Sequence, residues 1–242
     1  MTGLVHGLGL SLPADLLVGG GDNPSHNESR SLTQANEAIL GILGGSWDSP
    51  PELARGWQWR PDIVAVMEMM AKVAADAFPR PGPAVWKDPR TALLLPCWTQ
   101  ALGPIAGIVL VWRSPVAVAR SLAARDGISV DTGLGLWRRY NEDALRNVAG
   151  HHFLVVDYDE MVDDPQAVST MTADWLQAVV PGLVPRKVHI SRAGDSVMSR
   201  LRHHTGGGLL PEGCAALSAR LTEMRGPQPA RPGARVQAPA PG

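Results

Sequence analysis

Ile105-Ala106-Gly107-Ile108-Val109-Leu110-Val111-Trp112-Arg113-Ser114-Pro115 decides the fold. The run from Ile105 to Trp112 is apolar, rich in β-branched residues and bounded by Pro104 and Arg113, which predicts a strand. Its apolar side chains are continuous rather than alternating, as in strands of parallel sheets covered on both faces. Pro115 is preset for the first helical position, so a helix is expected over Val116 to Ala124. Further along, helices are expected over Gly133 to Val148, near Glu160, over Gln166 to Val180 and over Pro211 to Arg225, with a strand at Phe153 to Val156. On the other side, Ala84-Val85-Trp86 reads as a short strand ending at Lys87. Helices are expected over Thr91 to Leu102 despite Pro96, over Asp62 to Phe78 and over Ser31 to Leu43; Thr2 to Leu10 reads as the back half of another. Strands alternating with helices predict an α/β fold, a three-layer parallel sheet with flanking helices. Residues 1–226 form the expected single domain, and the Pro/Gly/Ala-rich residues 227–242 a disordered tail.

The chain has 242 residues. That length buries roughly 70–75% of the unfolded chain's surface without a disulfide or a metal staple. Its formal net charge of −1 points away from nucleic acid and from an electrostatic membrane partner. The two cysteines, Cys97 and Cys214, lack metal-ligand spacing and read as cytosolic thiols. The apolar stretch around Leu102 to Trp112 is too short to span a bilayer. The N-terminus lacks the positive start of a signal peptide, its first cationic residue being Arg30. A cytoplasmic protein is the expectation.

Parallel sheets bind ligands beyond the carboxyl ends of their strands. Candidate site residues therefore lie at Lys87-Asp88-Pro89-Arg90, Arg113-Ser114-Pro115 and Asp157-Tyr158-Asp159. Arg113 stands before a helix N-terminus, which offers free N–H groups and a positive dipole end to an anion. Its guanidinium adds a fork that can hold a phosphate with two hydrogen bonds. Ser121 follows about two helical turns later, in reach of the same anion. The alternative is a solvated strand-end arginine and a surface serine.

Val111-Trp112-Arg113-Ser114-Pro115 with Ala117 to Leu122 resembles the 3′-phosphate-binding segment of sulfotransferases that use 3′-phosphoadenylyl sulfate (PAPS) as donor. Other segments resemble the same family in the same order: Asp22-Asn23-Pro24 with Glu28-Ser29-Arg30; Trp86-Lys87-Asp88-Pro89-Arg90; Trp137 with Arg139-Tyr140-Asn141; Val156 to Val162 with Asp164-Pro165; and Leu201-Arg202-His203-His204. The resemblance spans Thr2 to His204. It implies a P-loop NTPase-like sulfotransferase fold and transfer of a sulfuryl group to a hydroxyl or amine of a small-molecule or glycan acceptor. Adenosine 3′,5′-bisphosphate is then the product, with no metal. Arg113 and Ser121 are implied to bind the 3′-phosphate, with Arg202 helping. Glu28 is implied as the general base, its alternative being a helix N-terminal carboxylate. Lys87 is the cation chosen for the bridging oxygen or sulfuryl group, its alternative a strand-end charge paired with Asp88 or Asp157. Arg90 is expected to hold Glu28 or the loop, and Asp88 is a second candidate base. Trp57 and Trp59 line an acceptor pocket or pack in the core. His203 and His204, adjacent and without partner ligands, suit a surface place or anion contact better than a metal.

The chain departs from the family in two places. No strand and P-loop-like turn of the kind that cradles the donor's 5′-phosphosulfate occurs in the sequence, and Thr2 to Leu10 looks like the helix that follows that turn; either the start is set too far downstream or the chain is truncated. Ser25-His26-Asn27 stands where relatives carry Arg-Gly and an aromatic residue. A non-catalytic remnant that binds a nucleotide weakly or a protein partner, and a nucleotide-dependent kinase, are the competing readings. The lack of a Walker-type lysine loop counts against the kinase. The missing loop leads to the expectation that residues 1–242 transfer little or no sulfate.

Overall fold

The computed structural model describes residues 1–17, 27–185 and 210–231. Its elements in chain order are α1 (Thr2–Gly7), α2 (Arg30–Ile42), a 3-10 turn (Trp57–Trp59), α3 (Pro61–Ala77), α4 (Thr91–Leu102), β1 (Ile108–Trp112), α5 (Pro115–Asp126), α6 (Val130–Asn147), a second 3-10 turn (Val148–Gly150), β2 (Phe153–Asp157), α7 (Tyr158–Asp163), α8 (Pro165–Val179), α9 (Glu212–Glu223) and β3 (Gly226–Gln228). The described residues group into two compact units: 1–9 with 106–185 and 210–230, and 10–17 with 27–105 and 231.

The first unit holds the sheet, and the α/β class stands. β1 and β2 pair in parallel, Ile108 opposite Phe153 through Trp112 opposite Asp157. β3 then joins β2 antiparallel, giving a three-stranded mixed sheet in the order β1-β2-β3 rather than a parallel one. Pro227 is tolerated there because it lies opposite Leu154, whose backbone bonds belong to β1; its missing N–H costs no ladder bond. Phe153 to Val156 of β2 are buried, so the covered strand is β2 and not the Ile105–Trp112 run for which the sequence predicts it. β1 is the edge strand of this sheet, and only its Trp112 is fully buried.

α5 and α6 pack closely because Gly133 lets the backbones approach: a Cβ built there would stand 2.9 Å from the Ala119 Cα. Ser129 caps α6 by accepting from the Thr132 N–H at 3.1 Å. Gly107, just before β1, makes room for the Trp175 ring of α8, which a Cβ would meet at 2.7 Å.

The second unit, as described, is helical. α2 packs on α3 and α3 on α4. The buried stripe of α2 is Leu32, Asn36, Ile39 and Leu40, so a polar residue takes a place on its inward face. Ala84-Val85-Trp86 forms no strand. One parallel bridge, Ser11 to Ala84, is made there, with Val85 N–H donating to Ser11 O at 2.9 Å and Ser11 N–H to Pro83 O at 2.9 Å. Pro83 and Pro89 carry no N–H on either side, which keeps the run from extending. α4 runs through Pro96 as expected. No described helix is long and apolar enough to cross a membrane.

Candidate functional site

In the first unit, Arg113 stands directly after β1. Its guanidinium carbon lies 4.7 Å from the centre of the Tyr158 ring, and its Nε stands 3.8 Å from Asp159 Oδ1. The carboxyl ends of the two parallel strands thus bring together two of the three expected segments. Tyr158 and Asp159 are placed by Asp157, whose carboxylate accepts the Asp159 N–H at 2.8 Å and so caps α7. From the other side, the Trp137 indole N–H donates to Arg113 O at 2.9 Å, and Asn141 Nδ2 donates to Trp137 O at 2.7 Å. Trp137, marked in the sequence only by the family pattern, holds the strand end, while Asn141 bonds back to Trp137 within α6.

α5 begins with Pro115, and the Ser114 side chain makes no capping hydrogen bond. Helix geometry leaves the Val116 and Ala117 N–H groups without an intrahelical acceptor, so the turn after Arg113 can receive an anion. Ser121 lies two turns into α5 and is half-buried.

The second unit brings Glu28 and Lys87 together as an ion pair, although they are 59 residues apart in sequence. Glu28 is 12% and Lys87 41% exposed at the side chain. Lys87 therefore pairs with neither Asp88 nor Asp157. Arg90 holds Glu37 and Asp88, not Glu28; its Nη1 lies 3.0 Å from Asp88 Oδ1. Burial opposes the Arg90 charge, and the two carboxylates overcome it and raise its pKa. The segment around Glu28 is tied to residues 15–17. Leu17 N–H donates to Glu28 O at 2.8 Å, and Arg30 N–H to Asp15 O at 3.0 Å. The Asp15 carboxylate accepts from the Ser29 hydroxyl at 2.7 Å and from the Ser31 N–H at 2.8 Å. Burial would raise the Asp15 pKa, but these donors outweigh it and lower it.

Asp88, a candidate base in the sequence, is a buried hub instead. One oxygen accepts the Arg90 N–H at 2.9 Å and Arg90 Nη1; the other accepts Asn36 Nδ2 at 2.9 Å. Asn36 Oδ1 in turn accepts the Trp98 indole N–H at 2.8 Å. Sequence reasoning missed Asn36. The signal was there: it shares the inward face of α2 with Leu32 and Leu40, four residues either side, where a polar side chain needs a buried partner. Trp57 and Trp59 are half-buried in their 3-10 turn, and the Trp59 indole N–H is buried without a partner.

Arg202, His203, His204, Asp22-Asn23-Pro24 and Ser25-His26 lie outside the described residues. A groove of about 740 Å³ runs along α8, lined by Ala167, Thr170, Met171, Asp174, Trp175 and Pro227 among others. None of the expected site residues lines it, and its walls lack convergent cations, so the strand-end chemistry carries more weight. No group of histidine, cysteine and carboxylate side chains among the described residues could hold a metal ion. No family model, no curated protein and no solved structure matches this chain.

Proposed function

We propose that this chain belongs to the PAPS-dependent sulfotransferases, with a P-loop NTPase-like sulfotransferase fold, and that Arg113 and Ser121 take the 3′-phosphate of the nucleotide. The observation that carries the reading is Arg113 at the end of a strand in parallel pairing, followed at once by a helix whose N-terminus has no side-chain cap. That arrangement combines a guanidinium fork with backbone donors and suits a phosphate dianion. In the transfer, an acceptor oxygen or nitrogen attacks sulfur as the bond to the leaving phosphate oxygen breaks. Glu28 takes the acceptor's proton, and Lys87 offsets the charge developing on the leaving phosphate. The ion pair supports these roles by bringing the candidate base and the candidate cation side by side.

Binding tests the reading. Arg113→Ala should weaken adenosine 3′,5′-bisphosphate by roughly 1.5–3 kcal/mol in calorimetry and leave 5′-AMP nearly unchanged. Arg113→Lys should recover only part of the loss, because lysine lacks the fork. Equal losses for both nucleotides remove Arg113 from the 3′-phosphate. A second reading, binding without transfer, draws on the Arg113 contact with Asp159. Labelled-sulfate transfer to a panel of hydroxyl and amine acceptors separates the two.

A further inference from the structure

We propose that Trp98 and Asn36 are positioning residues that hold Lys87 against Glu28. The functional meaning of that pair rests on the sulfotransferase reading; the positioning itself does not.

Trp98 of α4 is fully buried and reaches both neighbours of Lys87 in the chain. Its ring lies 5.7 Å from that of Trp86, and Trp86 lies 6.4 Å from Phe78. Its indole N–H meets Asn36 at 2.8 Å, and Asn36 passes the connection to Asp88 at 2.9 Å. Residues 86 and 88 are thereby fixed by one side chain, and Lys87 between them has little backbone freedom. The Asp88 side chain is only 1% exposed. A buried carboxylate is costly unless its oxygens are filled. Here Asn36 fills one and Arg90 the other. The Asp88 backbone carbonyl closes the turn by accepting the Thr91 N–H at 3.1 Å. Lys87 has a long, flexible stem, and such a side chain holds one partner only when its backbone is fixed. The buried chain from Trp98 through Asn36 to Asp88 supplies that fixity, and the Asp15–Ser29 clamp supplies it for Glu28.

The chain has three lysines, Lys72, Lys87 and Lys187, so amine labelling resolves this proposal residue by residue. Full-length protein is pulsed briefly with N-hydroxysuccinimidyl acetate, digested and read by mass spectrometry. Lys72 on α3 is exposed and serves as the internal reference. In the wild type, Lys87 should label more slowly than Lys72. Asn36→Leu keeps the volume and removes both hydrogen bonds. It should raise Lys87 labelling about two- to ten-fold, the range for one lost net hydrogen bond, with Lys72 unchanged. Trp98→Phe keeps an aromatic ring but removes the indole donor and part of the ring volume; it should act in the same direction, and it carries the test where Asn36→Leu does not fold. Glu28→Gln sets the ceiling. Lys87 labelling within error of wild type in a folded variant overturns the proposal. So does a parallel rise at Lys72, which marks general loosening. Selective release of Lys87 beside an unchanged nucleotide preference in Arg113→Ala would leave the positioning intact and remove the sulfotransferase reading.

Discussion

On the proposed reading, a phosphate at Arg113 meets Asp159, whose Oδ1 stands 3.8 Å from the Arg113 Nε. A carboxylate so close lowers the local potential that would draw a dianion. Asp159→Asn should therefore tighten adenosine 3′,5′-bisphosphate several-fold in calorimetry and steepen the salt dependence of binding. Weaker binding would show that Asp159 orients Arg113 rather than competing for it. Cys97 makes a different case. Burial pushes its thiol up to about 12, from an ordinary value of 9.0. An acid held neutral by the fold costs nothing below its unfolded pKa. Above it, the unfolded chain releases a proton that the folded one keeps. Stability should then fall between about pH 9 and pH 12, by up to about 1.4 kcal/mol per pH unit from this group. The loss should be smaller in Cys97→Ala, as read from urea unfolding at stepped pH. At this scale the sequence was legible where chemistry is local. Lys87 and Glu28 were chosen separately and stand together, but the partners of Arg90 were misread. Glu37 lies 53 residues from Arg90, and nothing in either local pattern tells which carboxylate the fold will deliver.

Helices α5 and α6 place the strand-end arginine, and their fit turns on one glycine. Gly133 faces the Ala119 backbone at 2.9 Å from where its Cβ would be, whereas Gly135 of the same helix meets nothing within 4 Å. Alanine at the two positions should thus act with opposite sign. Gly133→Ala pushes backbone against backbone and should cost roughly 1–3 kcal/mol. Gly135→Ala gains helix propensity and should stabilise by roughly 0.5–1 kcal/mol. Urea titrations of both variants check this, and equal effects would mean that the two helices do not meet at Gly133. The elements were legible where period and length were strong: α3, α4, α6 and α8 start and end within a few residues of the pattern. β3 was hidden because Pro227 reads as a breaker, and only its register opposite Leu154 makes it harmless. The strand expected at Ala84 to Trp86 failed for the opposite reason. Its side chains suit a strand, but it gains one bridge to Ser11 and no ladder.

Over the whole molecule, the sheet's unequal cover sets the remaining consequence. Ile108 N–H donates to His152 O, so Ile108, Leu110 and Trp112 turn their backbone groups toward β2. Val109 and Val111 turn theirs the other way, and no described strand pairs with that edge. Val111 is 36% exposed, and residues 108–112 contain no charge and no proline to blunt the edge. Such an edge is a template for another strand. The expected outcome is concentration-dependent self-association, with two copies pairing through β1. Sedimentation velocity over a range of micromolar concentrations measures it. Val111→Lys places a charge on the edge without touching the bonds to β2, and should shift the protein toward monomer at little cost in stability. Met69 is 62% exposed on α3 and supplies the control. Met69→Lys removes more exposed apolar surface but no strand edge, so it should leave association unchanged. If both lysines act alike, general hydrophobic adhesion drives the association and the β1 edge has no special part. If the wild type stays monomeric throughout, that edge is closed in solution.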